Sequence, residues 1–363
     1  MAIKALAWMV RVFEPPVYCY HEIVHNRIVV EEFERQGVIF VDDVTTVPPG
    51  AALMMSAHGS APAVEAAAGE QGRVVVDACC PLVTKVHHEM KVRARKGYTV
   101  LYVGHENHEE AVGTMAVAPS SVRLVQHEDD VIAAAAAIPP HTPVALLAQT
   151  TLPHDEWAGL VDAARERFPD LWMPGRSDLC YATTNRQAAM RALAPGCDAV
   201  VVIGSANSSN TVSLVRVAEM AGCPRAIRVN AAAEIPDDLS GVVGVTAGAS
   251  APEWLVKEII ERLAPANGIE LVHVTEEDEY FPPPPELRDL LRIVGAAASF
   301  ALGAPANGAG ATATSGSGDG GRAATGGAPS GPAGPAAKDD RAVSAADVLR
   351  PPVAAGAGLD SSA

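Results

Sequence analysis

The hydrophobic pattern of this chain is a repeat of short apolar runs, each followed by a polar loop and then an amphipathic stretch. The apolar runs predict strands at 38–41, 52–56, 74–77, 99–103, 144–147, 199–203 and 242–246. The amphipathic stretches predict helices at 83–96, 155–168, 183–193, 212–221 and 252–263, with Pro252 in a first helical turn. This alternation predicts an α/β protein whose mostly parallel sheets are covered by helices.

Chemically reactive residues gather at one place in this repeat, the loop just past the carboxyl end of a strand. They are His58, Cys80, His105, His108, Thr150, Thr151, Ser208, Ser209, Asn210 and Ser250. Ligands bind there in open α/β sheets, because helix N-termini and free backbone N–H groups converge on that side. We therefore expect the loops of several sheets to face a common centre.

Charge and composition narrow the class of partner. The 363 residues carry 27 Lys and Arg against 43 Asp and Glu, a formal charge of −16, which argues against a nucleic-acid surface or a basic membrane anchor. No stretch approaches the roughly 18 apolar residues of a membrane span, and the first residues lack a signal-peptide pattern. We expect a cytoplasmic protein with a small-molecule or protein partner, and six cysteines that act as ligands, catalytic thiols or packing residues.

The length of the chain favours several small cores over one large core. From about Ser299 to Ala363 the composition changes to Ala, Gly, Pro and Ser. Such a segment buries too little apolar surface to offset its ordering entropy, so we expect a disordered tail. The proline run at 282–285 before it is expected to end the folded part as an extended arm.

Two cysteines are candidate metal ligands because each follows a strand or precedes a helix. Cys80 comes after the strand at 74–77, and Cys180 stands just ahead of a helix that Thr183 or Thr184 would cap. A thiolate at the start of a helix is electrostatically favoured as a ligand, although a small buried hydrophobe explains either cysteine as simply. The adjacent pair Cys79 and Cys80 lacks a zinc Cys-x-x-Cys spacing, whereas iron–sulfur ligation by dispersed cysteines needs no fixed spacing. Zinc stays open as an alternative, and the other cysteines are interpreted as packing residues: Cys19, Cys197 and Cys223.

Histidines, hydroxyls and one amide offer contacts to an anion. A lone histidine is more often structural, but His25, His58 and His108 occupy similar loops. Imidazoles could hold a diphosphate without arginines, together with the side chains of Thr150, Thr151, Ser208, Ser209, Asn210 and Ser250. The simpler interpretation of 208–210 is a loop and helix cap. Glu110 would carry a proton if burial raised its pKa, and is otherwise a surface acid beside Glu109.

Taken together, these segments resemble the 4-hydroxy-3-methylbut-2-enyl diphosphate reductase family, the terminal enzymes of the methylerythritol phosphate route to isoprenoids. The resemblance runs in family order from about Ala2 to Arg288, and the combination is specific although no segment is specific alone. The matching segments are His21-Glu22-Ile23-Val24-His25-Asn26, Ser56-Ala57-His58-Gly59, Asp77 to His87, Gln149-Thr150-Thr151, Cys180 to Gln187, Asn207-Ser208-Ser209-Asn210 and Thr246 to Pro252.

The resemblance implies three small α/β domains in a pseudo-threefold trefoil around a central [4Fe–4S] cluster. The domains would span 1–80, 81–175 and 176–265, followed by an arm at 266–298 that returns to the first domain and by the disordered tail at 299–363. In that family three cysteines hold three irons, and the fourth iron binds the substrate's hydroxyl. Cys80 and Cys180 would be two of these ligands.

The resemblance also implies a role for each remaining site residue. The diphosphate would be held by His25, His58, His108, Ser208, Ser209, Asn210 and Ser250. Thr150 and Thr151 would lie beside the substrate, and Glu110 would relay a proton. The implied reaction removes an allylic hydroxyl reductively to give isopentenyl and dimethylallyl diphosphates, with electrons from a ferredoxin or flavodoxin. Side chains cannot supply these electrons, so a redox cluster must carry that step.

The chain departs from the family pattern in a few places. Family members begin with a strand and a Gly-Phe-Cys segment that carries the third cysteine ligand, whereas here Met1 stands near the end of that segment, and Cys19 lies too far along to replace it. A start assigned too far downstream and a degenerate paralogue both explain this. Lesser departures are Cys79 for a usual threonine, Glu109 for a usual proline, and Thr211 with Val212 for Ser-Asn.

Two other functions stay open at this point. A zinc-dependent hydrolase would use cysteine and histidine ligands and would be colourless. A non-catalytic diphosphate-binding protein would have kept the pocket without a stable cluster.

Overall fold

The computed structural model describes residues 1–275 and 281–301. Within these ranges the strands are β1 (Val17–Tyr20), β2 (Val38–Val41), β3 (Ala52–Met55), β4 (Val74–Asp77), β5 (Thr99–Val103), β6 (Val122–Val125), β7 (Val144–Ala148), β8 (Ala199–Ile203), β9 (Ala226–Val229) and β10 (Val243–Ala247). The helices are α1 (Ala2–Val12), α2 (Arg27–Arg35), α3 (Pro62–Ala68), α4 (Pro81–Arg95), α5 (Glu109–Ala116), α6 (Glu128–Ala137), α7 (His154–Arg167), α8 (Tyr181–Leu193), α9 (Ser209–Met220), α10 (Glu253–Leu263) and α11 (Pro285–Ala301).

The described strands form three sheets in which every pairing is parallel. The first sheet has the order β2-β1-β3-β4, the second β6-β5-β7 and the third β10-β8-β9. In the central strands β5 and β8 almost every residue is buried, because helices cover both faces of the sheet. The predicted α/β class with parallel sheets is therefore confirmed, whereas the domain boundaries given above stay a prediction.

The strands with unbroken apolar runs coincide with the sequence prediction. Those at 38–41, 74–77, 99–103 and 199–203 have the same bounds in the structure. The strands β6 and β9 were missed because each carries an arginine, Arg123 or Arg228, that breaks the apolar run. The inner strand β1 of the first sheet is also absent from the strands predicted above.

All five predicted helices begin at other residues in the structure, and at two of these starts the capping residue differs as well. Cys180 is itself the N-cap of α8, which begins at Tyr181, so neither Thr183 nor Thr184 caps the helix. Pro252 is extended, with φ −72° and ψ 146°, and is the N-cap of α10 instead of a member of its first turn. In both places the N-cap is the extended residue directly before the helix. The prediction instead put the first cap at Thr183 or Thr184 and put Pro252 inside its helix.

Helices α1 and α11, which the prediction lacked, pack on the first sheet. Leu6 and Met9 of α1 and Leu287 of α11 are fully buried in one core with strand residues such as Met54. The proline run at 282–285 therefore does not end the folded part, because Pro285 starts α11. The predicted tail overlaps α11 at 299–301, and 302–363 lie outside the described residues.

No described helix is long and apolar enough to cross a membrane.

One buried ion pair ties α4 to the loop that precedes α8. The carboxylate of Asp178 is fully buried, and the Lys85 Nζ donates to it at 3.1 Å and to the backbone oxygens of Arg176 and Ser177. The backbone N–H of Ala148 at the end of β7 also donates to Asp178.

Replacing Lys85 with Met should lower the free energy of unfolding by about 2–3 kcal/mol, because a buried carboxylate loses its partner while the ammonium was already partly solvated. Urea denaturation at neutral pH measures this. The matched control is Lys91→Met, an exposed lysine on the same helix, which should change stability by less than about 0.5 kcal/mol. Equal effects of the two substitutions would show that the Asp178 contact contributes nothing.

Candidate active site

Three histidines from two sheets meet at the carboxyl ends of their strands. His25 follows β1, His58 follows β3 and His108 follows β5. The rings of His25 and His58 are stacked with centroids 4.1 Å apart, and the ring of His108 lies edge-on at 5.5 and 6.0 Å from them. Since β1 and β3 are neighbours in one sheet and β5 belongs to another, the site lies where two sheets point at the same place.

Helix capping sets the orientation of His108. Its Nδ1 accepts the backbone N–H of Glu110 at 3.2 Å, as the N-cap of α5. Its Nε2 is buried and has no hydrogen-bond partner in the described part of the chain. Burial, followed by the charges of His58 and His25, lowers the pKa of His108 to about 3, so the ring is neutral and Nε2 carries the hydrogen. His108 is thus an unused donor.

The third sheet completes a cavity of about 160 Å³ in front of these rings. Its lining is Val24, His25, His58, His108, Thr151, Ser208, Ser209, Asn210, Ala249 and Ser250. Asn210 is buried, and neither its Oδ1 nor its Nδ2 has a partner among the described residues. Ser208 is the N-cap of α9 and accepts the N–H of Thr211, which leaves its own hydroxyl hydrogen free to donate.

The cavity favours an anion, although the described residues that line it include no lysine or arginine. The N-termini of α5 and α9 both begin beside it, at His108 and Ser208. Backbone N–H groups and the helix dipole place positive potential there. Neutral imidazole, amide and hydroxyl groups supply the other hydrogen-bond donors. Burial, and after it the charge of His58, lowers the pKa of His25.

Glu110, two residues after the cavity residue His108, is buried and is bound to Thr150. The Thr150 N–H donates to Oε1 at 2.7 Å, and the Thr150 hydroxyl hydrogen-bonds Oε2 at 2.9 Å. Burial raises the pKa of Glu110 to about 7 despite these hydrogen bonds. Glu110 can therefore hold or release a proton near neutral pH. Thr150 contacts Glu110 and is not among the residues that line the cavity, whereas Thr151 is one of them.

Cys80 and Cys180 occupy equivalent positions at two helix N-termini. Each is an N-cap with extended backbone, φ and ψ being −63° and 132° at Cys80 and −64° and 129° at Cys180. Burial raises the pKa of both thiols, and each receives backbone hydrogen bonds from the first turn of its helix. The two groups are near enough that the charge of Cys180 raises the pKa of Cys80, and Glu110 acts on both.

Backbone hydrogen bonds join these cysteines to the cavity. The Cys80 N–H donates to the carbonyl of Ala57, next to His58, at 3.0 Å, and the Cys180 N–H donates to the carbonyl of Thr150 at 2.8 Å. All six cysteines are free thiols. Two neighbouring soft thiols at helix N-termini fit the thiolate part of an iron–sulfur ligand set. Cys79 beside them instead accepts a hydrogen bond from the Thr84 hydroxyl at 3.4 Å.

Two residues of this region were not predicted from the sequence, Glu109 and His21. A Glu109 oxygen lies 2.9 Å from His58 Nδ1, and its other oxygen lies 3.6 Å from His21 Nδ1. Burial works to raise the pKa of Glu109, but the hydrogen bond to His58 and the nearby histidine charges lower it overall. The signal in the sequence for Glu109 was its position, where the family usually has a proline. His105, in contrast, lies outside the cavity and is paired with Glu156.

Comparison with known proteins gives a consistent set of relatives. The family model described as LytB protein matches residues 1–264. The 4-hydroxy-3-methylbut-2-enyl diphosphate reductase of Mycolicibacterium paratuberculosis is 48% identical over 281 residues, covering 76% of this chain and 83% of that protein. The protein of the same name from Leifsonia xyli is 48% identical over 292 residues, covering 79% and 86%.

A solved structure agrees with these sequence matches. The E-1-hydroxy-2-methyl-but-2-enyl-4-diphosphate reductase from Plasmodium falciparum superimposes with a TM-score of 0.77 at 31% identity. The match covers 81% of this chain and 94% of that one. The similarity therefore extends over sequence and fold together.

The raised pKa of Glu110 predicts a pH-dependent stability. Its stabilising contribution is present below the unfolded value of 4.5 and is lost as the pH rises through about 7, because the folded state disfavours the carboxylate. Relative to Glu110→Gln, the wild-type chain should lose about 2–3 kcal/mol of unfolding free energy between pH 5 and pH 8. Urea denaturation at the two pH values measures this, with Glu106→Gln, an exposed acid in the loop before α5, as control. A difference that does not change with pH would contradict the raised pKa.

Proposed function

The chain belongs to the LytB protein family, and from that premise we propose that it is an iron–sulfur reductase that converts 4-hydroxy-3-methylbut-2-enyl diphosphate to isopentenyl and dimethylallyl diphosphates. Relatives with 48% identity over about three quarters of the chain carry the reductase name, which supports this function over a zinc-dependent hydrolase or a non-catalytic binding protein. The observation that carries the proposal is that two helix-capping thiols and a buried acid are hydrogen-bonded to Ala57 and Thr150, the chain neighbours of the cavity residues His58 and Thr151.

Cys80 and Cys180 are proposed as two of the cysteine ligands that would hold a [4Fe–4S] cluster. When bound, the cluster would pass on, one at a time from an external donor, the two electrons that removal of an allylic hydroxyl requires, which no side chain can provide. The N–H groups of Leu82 and Val83 donate to Cys80, and those of Ala182 and Thr183 donate to Cys180. These donors favour the thiolate form of each ligand.

The diphosphate is proposed to bind in the 160 Å³ cavity. The donors there are the Nε2–H of His108, the Asn210 amide and the serine hydroxyls, all from the N-terminal ends of helices or the loops before them. Because His108 and Asn210 have no internal partner, they lose no protein hydrogen bond when an anion arrives. The site is thus arranged in advance to orient the organic part of the substrate towards Cys80 and Cys180.

Glu110 is proposed as the proton donor to the departing hydroxyl. With a pKa of about 7 it is largely protonated just below neutral pH, and a proton on Oε2 would face the Thr150 hydroxyl 2.9 Å away. The Thr150 hydroxyl can rotate to pass this proton onward, since it is both a donor and an acceptor. Thr150 therefore acts as a relay and Thr151 as a wall of the cavity.

The electron donor is proposed to be a ferredoxin or flavodoxin, because a soluble one-electron carrier is the class of partner that such a reaction needs. The cytoplasmic location stays a prediction from the sequence.

The function predicts different effects of two substitutions. Cys180→Ser should remove the brown iron–sulfur absorbance and the reductase activity together, whereas Glu110→Gln should keep the absorbance and lower kcat by about 10²- to 10⁴-fold. Both are measured on anaerobically reconstituted protein with a chemical reductant. The matched control is Cys223→Ala, a buried thiol in a separate core, which should keep colour and turnover. Colour and activity that both survive in Cys180→Ser would refute the ligand assignment.

The cavity predicts a specific loss of anion affinity. Asn210→Ala should weaken the binding of inorganic diphosphate by about tenfold to a hundredfold, because a hydrogen bond to a charged group contributes about 1.5–3 kcal/mol. Stability should change little, since neither amide atom has a protein partner. Isothermal titration calorimetry measures the affinity, and Asn207→Ala is the control, because that amide donates to Glu22 instead. Equal affinity in Asn210→Ala and wild type would place the anion elsewhere.

A further inference from the structure

One group of side chains in the cavity has a composition that anion binding does not explain. One nitrogen of His25, one nitrogen of His58 and one carboxylate oxygen of Glu109 all lie within 4.8 Å of one another. The two rings are parallel to within 10°, and Glu109 is in direct contact with His58. A carboxylate repels a diphosphate, so its position among these rings calls for another partner.

The position of Glu109 follows from the start of α5. His108 is the N-cap and Glu109 is the first helical residue, which directs its carboxylate back across the loop to the end of β3, where His58 lies. His21, from the loop after β1, stands 3.6 Å from the second carboxylate oxygen. Residues from two sheets therefore surround one point with nitrogen and oxygen donors on several sides.

Two imidazoles and one carboxylate with open positions form a common ligand set for divalent transition-metal ions. Zn²⁺, Co²⁺ and Fe²⁺ accept this set in tetrahedral or higher coordination, with water in the remaining positions. The set contains no sulfur, which separates it from the thiols of Cys80 and Cys180. We propose that His25, His58 and Glu109 form a binding site for a divalent transition-metal ion at the wall of the cavity.

This site goes beyond the reductase reaction and does not depend on it. Glu109 is not a residue that the reaction uses, and the three donors would bind an ion whether or not the chain turns over substrate. The simpler alternative is two separate local contacts, His58 with Glu109 at 2.9 Å and His25 with Glu22 at 3.4 Å. These two contacts do not account for the convergence of His25, His58 and Glu109 donor atoms within 4.8 Å of one another.

Cobalt is the most informative probe. Co²⁺ bound by nitrogen and oxygen gives only weak visible bands, whereas thiolate ligands add intense near-ultraviolet charge-transfer absorption. The full chain, with any histidine tag removed, is titrated with Co²⁺ by calorimetry and by difference absorption. We expect one equivalent to bind without a thiolate band.

Three variants decide the assignment. Glu109→Gln should weaken Co²⁺ binding by about tenfold or more. Removing a residue that only hydrogen-bonds a metal ligand already weakens metal binding by about tenfold, and Glu109 is proposed as a ligand itself. Glu109→Asp keeps the carboxylate and should retain measurable binding, which separates ligation from a folding defect. The control Glu106→Gln removes an exposed carboxylate from the loop before α5 and should leave the affinity within about twofold of wild type.

Each outcome either supports or overturns the proposal. Binding that Glu109→Gln weakens and Glu109→Asp preserves supports the site. Should Glu109→Gln fail to fold, His25→Ala takes its place, because that ring reaches the site without bonding to Glu109. Unchanged affinity in Glu109→Gln and His25→Ala, a thiolate band that grows with the added Co²⁺, or no binding at all overturns the proposal. A negative result here would leave the Cys180→Ser and Asn210→Ala tests valid, because neither of those variants changes a proposed metal ligand.

Discussion

Two backbone hydrogen bonds fix the relation between the thiols and the cavity. The Cys80 N–H is bound to Ala57 and the Cys180 N–H to Thr150, so each cysteine is attached to the strand end that also carries a cavity residue or the partner of Glu110. The polar ends of α4 and α8 are thereby held against the carboxyl ends of β3 and β7. Parallel pairing puts all these strand ends on one side of their sheets, and the chemistry of the site follows from that constraint.

The polar groups at the centre are kept uncharged by burial. Desolvation moves the pKa of Glu110 up to about 7 and the pKa of His108 down to about 3, which in both residues favours the neutral form. The same cause thus makes one residue a proton donor and the other a neutral hydrogen-bond donor. Glu109 is the exception, because contact with His58 outweighs its burial and keeps it anionic.

The sequence predicted the strands with unbroken apolar runs better than the strands that an arginine interrupts. The strand at 199–203 was predicted to the residue because five successive buried apolar side chains leave no other period, whereas Arg228 in an edge strand masked β9. Of the site, the sequence indicated which residue types gather at strand ends. It did not show that Thr150 faces Glu110, or that Glu109 contacts His58 across 51 positions, because these depend on side-chain directions in packed loops.

The absence of lysine and arginine from the described cavity lining has a consequence for kinetics. Dipoles act over a few ångströms, and the chain as a whole carries a charge of −16, so a polyanion approaching from solution meets repulsion before it meets the donors. Added salt screens that repulsion without weakening short-range contacts inside the cavity. Substrate capture by this protein should therefore accelerate with ionic strength, the reverse of what an arginine-lined pocket would give.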